Sequence, residues 1–275
     1  MEYDLEVLSL GAGVQSTCMA LMAIHGDLPM PDYAIFADTG WEPKATYKHL
    51  ERLRGALEDA GIPLLMVAPE GTQGLRQDVL NYIDGEKKSE KTRVASPPFF
   101  IGDGGMLWRE CTREYKVDPI RRKIRELLGY KPRQRVKKVA RCWIGISLDE
   151  VTRMKDSGIQ WVKNWHPLIE NRMDRNNCQK YMQRHGWVDV PKSACCGCPY
   201  RSNASWRDLK DNHTEDWDDA VEFDDKIREK PYPLLKGEPY LHGNQEPLSE
   251  VDLSTAEDHG QLNLFENECE GMCGV

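Results

Sequence analysis

Near its start the chain reads Leu5-Glu6-Val7-Leu8-Ser9-Leu10-Gly11-Ala12-Gly13-Val14-Gln15-Ser16-Thr17. The apolar residues Val7, Leu8 and Leu10 indicate a buried strand. This strand runs into two glycines, and such small residues let a ligand approach the backbone closely. An apolar helix is predicted to follow, over residues 18–25. Free N–H groups and the positive end of the helix dipole would then converge beyond the strand, an arrangement that suits an anion.

Two interpretations of this loop stay open on these residues alone. One is a phosphate-binding turn, whose contacts would come from Gly11 and Gly13 and from the polar side chains Ser9, Gln15, Ser16 and Thr17. The other is an ordinary connection between a strand and a helix that needs two glycines. The loop does not follow GxxxxGK[ST], and it lacks the third glycine of GxGxxG.

Strand and helix patterns alternate after this loop. A second apolar run, residues 33–37, ends at Asp38-Thr39-Gly40; a helical pattern spans residues 45–57, and a third apolar run spans residues 64–68. The alternation predicts an α/β fold of the Rossmann-like kind, with a parallel twisted sheet and helices on both faces. Ligands of such sheets bind beyond the carboxyl ends of the strands, where the first two loops lie.

The remaining elements are predicted from the same patterns. A fourth strand is expected over residues 139–147, and residues 165–170 read as extended. Helices are expected over residues 73–82, 111–128, 149–154, 175–185, 203–210 and 216–227.

Composition predicts a globular protein without a membrane partner. The chain has 275 residues, of which 40% are hydrophobic and 30% charged. No apolar run approaches the ~20 residues that a membrane helix needs. The first residues lack the basic start and apolar core of a signal peptide, so a cytoplasmic location is expected.

Charge is unevenly distributed along the chain. The net charge is −8, yet residues 109–141 contain thirteen Lys and Arg against four Asp and Glu, a local charge of +9. Such a segment either holds a polyanion, such as a nucleic acid, or is simply a solvated surface. Both interpretations stay open.

Nine cysteines are the second chemical signal. In a reducing compartment, clustered cysteines indicate metal binding or catalysis rather than disulfides. Cys195-x-x-Cys198 has the spacing with which two thiolates grip a zinc ion or an iron–sulfur cluster. Further ligands would come from Cys111 and Cys178, or less readily from Cys142 or Cys196. A redox pair and a pair of small buried core cysteines are the remaining alternatives.

The motifs together resemble the phosphoadenosine-phosphosulfate (PAPS) reductase family, within the adenine nucleotide α-hydrolase-like superfamily of PP-loop ATP pyrophosphatases. The resemblance covers residues 5 to about 190, so residues 1–190 are predicted to form a nucleotide-binding domain and residues 191–275 a cysteine-containing extension. It rests on residues 11–17, Asp38-Thr39-Gly40-x-x-Pro43-x-x-Thr46-Tyr47, Cys111-x-x-x-x-Lys116-Val117-x-Pro119, Gly145-Ile146-Ser147-x-x-Glu150-x-x-Arg153 and His166-Pro167-Leu168-Ile169.

The resemblance implies particular roles. Asp38, Thr39, Gly40 and Lys116 would join the glycine loop in binding the nucleotide. The family's iron–sulfur branch has a Cys-Cys pair upstream of its CxxC; here Glu110 stands beside Cys111, which makes Cys178 the replacement ligand of a [4Fe–4S] cluster. The tail segment Glu268-Cys269-Glu270-Gly271 is similar to the family's catalytic Glu-Cys-Gly motif, with one residue inserted.

Three functions are compatible with this pattern. In the first, Cys269 or Cys273 attacks a sulfonucleotide whose adenosine Asp38 helps to fix, and a thiol or sulfur donor protein completes the cycle. In the second, an ATP pyrophosphatase with Mg²⁺ and Asp38 adenylates a nucleic acid or another substrate for sulfur insertion. In the third, a nucleotide-binding module carries a structural zinc.

Overall fold

The computed structural model describes residues 2–85, 95–102, 104–230, 235, 237–255 and 257–260. Its strands are β1 (Leu5–Leu10), β2 (Tyr33–Ala37), β3 (Leu64–Val67), β4 (Phe100–Ile101), β5 (Gly105–Met106), β6 (Ala140–Trp143), β7 (Val162–Trp165) and β8 (Pro239–Tyr240). Its α-helices are α1 (Val14–Ile24), α2 (Lys44–Asp59), α3 (Leu75–Ile83), α4 (Asp118–Leu127), α5 (Pro167–Glu170), α6 (Arg175–Arg184), α7 (Asn203–Asn212) and α8 (Thr214–Glu229). A π-helix (Thr112–Val117) precedes α4, and a 3₁₀ helix (Leu148–Arg153) follows β6.

Five parallel strands form the main sheet, in the order β3-β2-β1-β6-β7. The register pairs Leu8 of β1 with Ala34 of β2 on one side and with Trp143 of β6 on the other. The chain therefore builds outward from β1 in one direction and returns to its other side at β6. In open α/β sheets this reversal, at the carboxyl ends of the strands, is where ligands bind.

Helices cover both faces of the sheet. On one face, Leu8 and Phe36 pack with α1, α2 and α6 in a buried apolar cluster. On the other face, Val7 and Ile35 pack with Ile124 and Leu128 of α4 and the residue after it. Alternate residues of β1 and β2 point to opposite faces of the sheet, and the residues on both faces are apolar. This is expected for a parallel sheet that helices cover on both sides. The predicted fold class is confirmed.

A third buried cluster lies outside the sheet. It joins α3, the 95–99 segment and Tyr115 to the Cys195–Cys198 turn, α7, α8 and residues 241–253. Trp41 and Phe223 meet at its centre, with ring centroids 4.4 Å apart. This cluster takes residues from both sides of position 190, and the division of the chain there stays a prediction.

Local structure departs from the sequence prediction at several boundaries. Helix α1 begins at Val14, so the hydroxyl residues belong to the helix rather than to the loop before it. Residues 165–170 are not extended throughout: Pro167–Glu170 is a short helix, and a proline in the first turn suits one. Strand β6 ends at Trp143, and β7 was not foreseen because Lys163 and Asn164 interrupt its apolar pattern.

No helix within the described parts of the chain combines the length and the apolar character needed to cross a bilayer.

A buried histidine of α2, His49, contacts helix α1. Thr17 Oγ1 lies 3.0 Å from His49 Nε2 of α2, and both residues are buried. Burial, helped by the charge of Arg52, lowers the pKa of His49 from 6.5 to about 4. The neutral ring thus packs edge-on against Trp187, with centroids 5.6 Å apart.

We predict that His49 makes folding sensitive to acid. An unfolded histidine binds a proton as the pH falls through 6.5, whereas the buried ring does not until about pH 4. The free energy of unfolding should therefore be highest above pH 6.5 and fall between pH 6.5 and 4, by up to ~1.4 kcal/mol per pH unit from this group. Urea unfolding of His49→Gln at pH 7, 6 and 5 should show a shallower decline. The exposed control His25→Gln should follow the parent, and equal slopes for the parent and His49→Gln would contradict the prediction.

Candidate functional site

The glycine loop between β1 and α1 is a tight turn. Ala12 takes a left-handed backbone conformation with φ of 54°. The Ser16 hydroxyl braces the turn, because it accepts a hydrogen bond from Gly11 N at 3.2 Å and donates one to Gly13 O at 3.3 Å. Gly13 begins α1 without a side-chain cap from any described residue, and the first turn of α1 carries no acidic residue. The positive end of this helix is therefore open to an anion.

A cavity of about 370 Å³ lies beside this loop, at the point where the strand order reverses. Its volume is within the range of small-molecule sites. Its polar lining residues include Ser9, Gly11, Gly13, Gln15, Ser16, Lys116 and Ser193. Its apolar lining residues include Phe36, Ile120, Ile124, Cys142, Ile144 and Val162. The lining thus offers polar contacts to an anionic group and apolar contacts to a flat ring.

The charged residues around the cavity are mostly cations. Arg113, Lys116, Arg121 and Lys155 line it, against one carboxylate, Asp156. Arg121 Nη2 donates to Ser157 O at 2.5 Å, which fixes this guanidinium at the wall. The cavity therefore attracts an anionic ligand before any contact with the loop is made.

Two glycines allow close contacts around the loop. A Cβ at Gly13 would lie 2.8 Å from Ser193 Cβ, and one at Gly145 would lie 3.2 Å from Ser16 N. Ser193 Oγ donates to Gly11 O at 2.5 Å. The segment before the cysteine turn is thereby held against the glycine loop. Any side chain larger than hydrogen at Gly13 would push Ser193 and this segment away.

A polar network holds the start of α1 against the segment after β6. Gln15 Nε2 donates to Ser147 Oγ at 3.3 Å and to Glu150 Oε1 at 3.2 Å, and Arg175 Nη1 donates to Gln15 Oε1 at 3.4 Å. Glu150 is 3% exposed and is paired with Arg153 at 2.5 Å. The Gln15 amide is therefore held in one orientation at the rim of the cavity.

The buried carboxylate of Glu42 joins three separate parts of the site. Glu42 Oε1 accepts from Thr39 Oγ1 at 3.1 Å and from Lys116 Nζ at 3.2 Å, and it lies 3.6 Å from Cys195 Sγ. Thr39 Oγ1 also lies 3.4 Å from that sulfur. Glu42 Oε2 is buried and has no hydrogen-bond partner among the described residues. A thiol, a carboxylate and an ammonium group thus adjoin one another, and the ammonium group belongs to Lys116, which lines the cavity.

The Cys195–Cys198 turn is held by its backbone. Cys198 N donates to Cys195 O at 3.2 Å, and Cys196 N donates to Trp41 O at 2.9 Å. The Arg201 guanidinium donates to the carbonyl oxygens of residues 194, 195 and 196 at 3.0–3.2 Å. A Cβ at Gly197 would lie 2.1 Å from the Trp41 ring, so only glycine fits there. Both thiols of the CxxC pair are therefore fixed in a buried, rigid turn.

The structure brings together six of the ten residues that the sequence nominated for nucleotide binding. Ser9, Gly11, Gly13, Gln15, Ser16 and Lys116 line the cavity, whereas Thr17, Asp38, Thr39 and Gly40 do not. Thr17 turns inward to His49. Asp38 Oδ1 instead accepts from Gly40 N and from Tyr47 Oη, both at 2.8 Å. Burial is the main reason why the pKa of Tyr47 is raised, and the neighbouring Asp38 carboxylate raises it further.

The cysteines fall into separate regions. Cys195 and Cys198 belong to the third cluster, and Cys111 packs against it. Cys178 lies in the cluster between α1 and α6, where the adjacent Cys18 thiol, together with burial, raises its pKa. Burial raises the pKa of Cys142 to about 12 in the core beneath α4. Cys269 and Cys273 lie outside the described residues. Within the described ranges, His, Cys, Asp and Glu nowhere form a group of three arranged to hold a metal.

Sequence reasoning missed several residues of the site. Ser193 and Glu42 carry no motif of their own, because their importance comes from contacts with residues distant in sequence. The apolar residues that line the cavity were missed as well. Ile120 and Ile124 are four apart on α4, so a helical apolar stripe was visible, but their exposure to a cavity depends on tertiary packing.

The likeness of this chain to known proteins is structural. No protein-family model matches the chain, and no curated protein matches it. A crystal structure of phosphoadenylyl-sulfate (PAPS) reductase from Candida auris, in a phosphate complex, is similar with a TM-score of 0.45 and 16% identity. The match covers 70% of this chain and 76% of that chain.

Proposed function

We propose that the protein is an adenine-nucleotide-dependent enzyme of sulfur metabolism. The observation that carries the proposal is the cavity, because polar residues at an open helix N-terminus and apolar side chains line it together. Its lining residue Lys116 also contacts the Glu42 carboxylate, which lies 3.6 Å from the buried Cys195 Sγ. The motif resemblances described above support adenine as the base. Under this proposal the phosphates lie at the Gly11–Ser16 loop and the base lies against the apolar lining residues Ile120 and Ile144.

Lys116 is the residue that we assign to the phosphates. Its ammonium group lines the cavity, is 17% exposed and is paired with a carboxylate that is 1% exposed. The pair keeps Lys116 directed into the site without a ligand, so little side-chain entropy is lost when a phosphate binds. Loop amides supply the remaining donors.

We further propose that Cys111, Cys195 and Cys198 hold a [4Fe–4S] cluster, with zinc as the alternative. The donor set fits in part, since all three thiols adjoin one buried cluster and the CxxC backbone is fixed by Arg201. Cys178 is left out because it packs beside Cys18 on the other side of the site. Cys196 of the same turn and the tail residues Cys269 and Cys273 are then the candidates for a fourth ligand. When bound, such a group would supply a Lewis-acidic metal at the Cys195–Cys198 turn.

The first candidate reaction is reduction of a sulfonucleotide. A cysteine thiolate, from Cys269 or Cys273, attacks the sulfate sulfur, and the new S–S bond forms as the bond from sulfur to the nucleotide's phosphate oxygen breaks. The nucleotide leaves, and a thiol donor then releases sulfite by attacking the cysteine sulfur. The chain's own contribution is to hold the leaving phosphate at Gly11–Ser16 and Lys116.

The second candidate is adenylation by an ATP pyrophosphatase, and the basic residues around the cavity favour it. A substrate oxygen attacks the α-phosphorus of ATP, and the bond to the β-phosphate breaks with release of pyrophosphate. A sulfur nucleophile then displaces AMP from the adenylated substrate. Mg²⁺ bound to ATP would share the phosphate charge with Lys116 and Arg113.

We expect turnover of one of the two nucleotides to depend on Lys116. Purified protein is incubated with ATP and Mg²⁺, or with phosphoadenylyl sulfate and a dithiol, while pyrophosphate and sulfite are measured. Lys116→Gln should lower the productive rate at least about tenfold, since one phosphate contact to a charged group is worth ~1.5–3 kcal/mol. Lys123→Gln removes a surface cation of α4 that is paired with Glu126 and should leave the rate unchanged.

A second variant tests whether Lys116→Gln loses activity merely because it misfolds. That change leaves the Glu42 carboxylate buried without its cation, whereas Lys116→Gln/Glu42→Gln leaves a neutral pair. The double variant should fold and remain inactive. Release of neither sulfite nor pyrophosphate by the parent, or full activity of the double variant, would contradict the proposal.

Metal content provides a separate prediction. Protein purified without oxygen should carry iron and absorb near ~400 nm if a cluster is bound, or contain zinc without colour. Cys111→Ser, Cys195→Ser and Cys198→Ser should each lose most of the metal. Cys142→Ser and Cys178→Ser are matched controls in separate apolar clusters and should retain it. Loss of metal in Cys178→Ser with retention in Cys195→Ser would reverse the assignment.

A further inference from the structure

A row of exposed cations leads away from the cavity along α4. We define the basic ridge as Arg113, Arg122, Arg133, Arg135, Lys137 and Lys138, all of them exposed. Arg113 lies 3.8 Å from Asp118; the other five have no ion pair among the described residues. Other charges of the segment are already engaged, because Lys123 pairs with Glu126 and Arg125 stacks on Trp161.

The basic ridge is longer than a mononucleotide requires. It starts at Arg113, which lines the cavity, and continues over α4, whose ten residues span ~15 Å. It ends in the loop before β6, at the amino-terminal ends of the central strands. There Val139 N donates to Asp4 Oδ2, just before β1. Cations that far from the cavity cannot touch the phosphates of a nucleotide bound in it. A polyanion that continues out of the cavity would reach them.

An exposed aromatic residue lies at the cavity end of the basic ridge. Trp108 is 87% exposed, the most exposed large apolar side chain in the described chain. Thr112 at the cavity wall is four positions further along the chain, a span of at most ~14 Å. Exposed aromatic rings combined with a cationic track are how proteins hold single strands, because every base offers a face for stacking.

We propose that the basic ridge and Trp108 bind single-stranded nucleic acid. The phosphates follow Arg122 and the 133–138 loop, and a base stacks on Trp108 beside the mouth of the cavity. The net charge of −8 does not oppose this, because charges more than ~10 Å away are screened at 0.1 M salt. This surface does not depend on which reaction the cavity carries out.

The test measures binding of fluorescent 12-nucleotide RNA and DNA strands by anisotropy between 50 and 200 mM salt. The ridge variant Arg122→Gln/Arg135→Gln/Lys137→Gln should bind at least about tenfold more weakly, and the slope of log K against log salt should become less steep by ~2. Its matched control is Lys48→Gln/Arg172→Gln/Lys180→Gln, three exposed cations on the opposite face of the sheet, which should bind as the parent does.

Trp108→Ala separates stacking from charge. It should weaken binding of single strands roughly five-fold or more while the salt slope stays unchanged, and it should not affect a duplex. Comparison of RNA with DNA identifies which strand is preferred. Equal losses in the ridge and control variants, no binding at 50 mM salt, or equally tight binding of a poly-glutamate peptide would overturn the proposal. ATP affinity, measured in the same variants, should not change, so failure here is distinct from failure of the nucleotide assignment.

Discussion

The buried ion pair between Glu42 and Lys116 is the constraint on which the site depends. A carboxylate that is 1% exposed is stable only beside a cation and hydrogen-bond donors. Glu42 follows β2 and Lys116 lies in the π-helix before α4, so the pair ties the sheet to the helix that roofs the cavity. Because Cys195 Sγ adjoins the same carboxylate, the cysteine turn is placed by this pair as well.

Two packed glycines extend the constraint to the glycine loop between β1 and α1. Gly13 and Gly197 each face another segment closely enough that a methyl group would collide with it. Ser193 is fastened to Gly11, and the Cys195–Cys198 turn is seated on Trp41. Ser193, nearly two hundred positions from the first strand, thereby becomes part of the wall of the cavity. The proposed function uses this arrangement, because it places the cysteine turn next to a segment that lines the cavity.

The sequence predicted the fold well because its signals are local. Apolar runs in β1, β2 and β3 alternate with amphipathic helices, and the glycine loop marks the end of β1. Strand β7 was not predicted because Lys163 and Asn164 interrupt its apolar run. Most of the glycine-loop residues and Lys116 do line the cavity. Thr17 and Asp38 do not, because His49 and Tyr47 take up their side chains, and such pairings form only when helix α2 packs.

Paired substitutions at Gly11 would test the central claim, that nucleotide phosphates lie on the glycine loop. A Cβ there would be 3.3 Å from Ser193 Oγ, so Gly11→Asp and Gly11→Asn disturb the loop alike and differ mainly in charge. Calorimetric titration with ATP should show affinity at least about tenfold weaker for Gly11→Asp than for Gly11→Asn, with the gap narrowing as salt is raised. Equal affinities for the two variants would mean that the phosphates bind elsewhere.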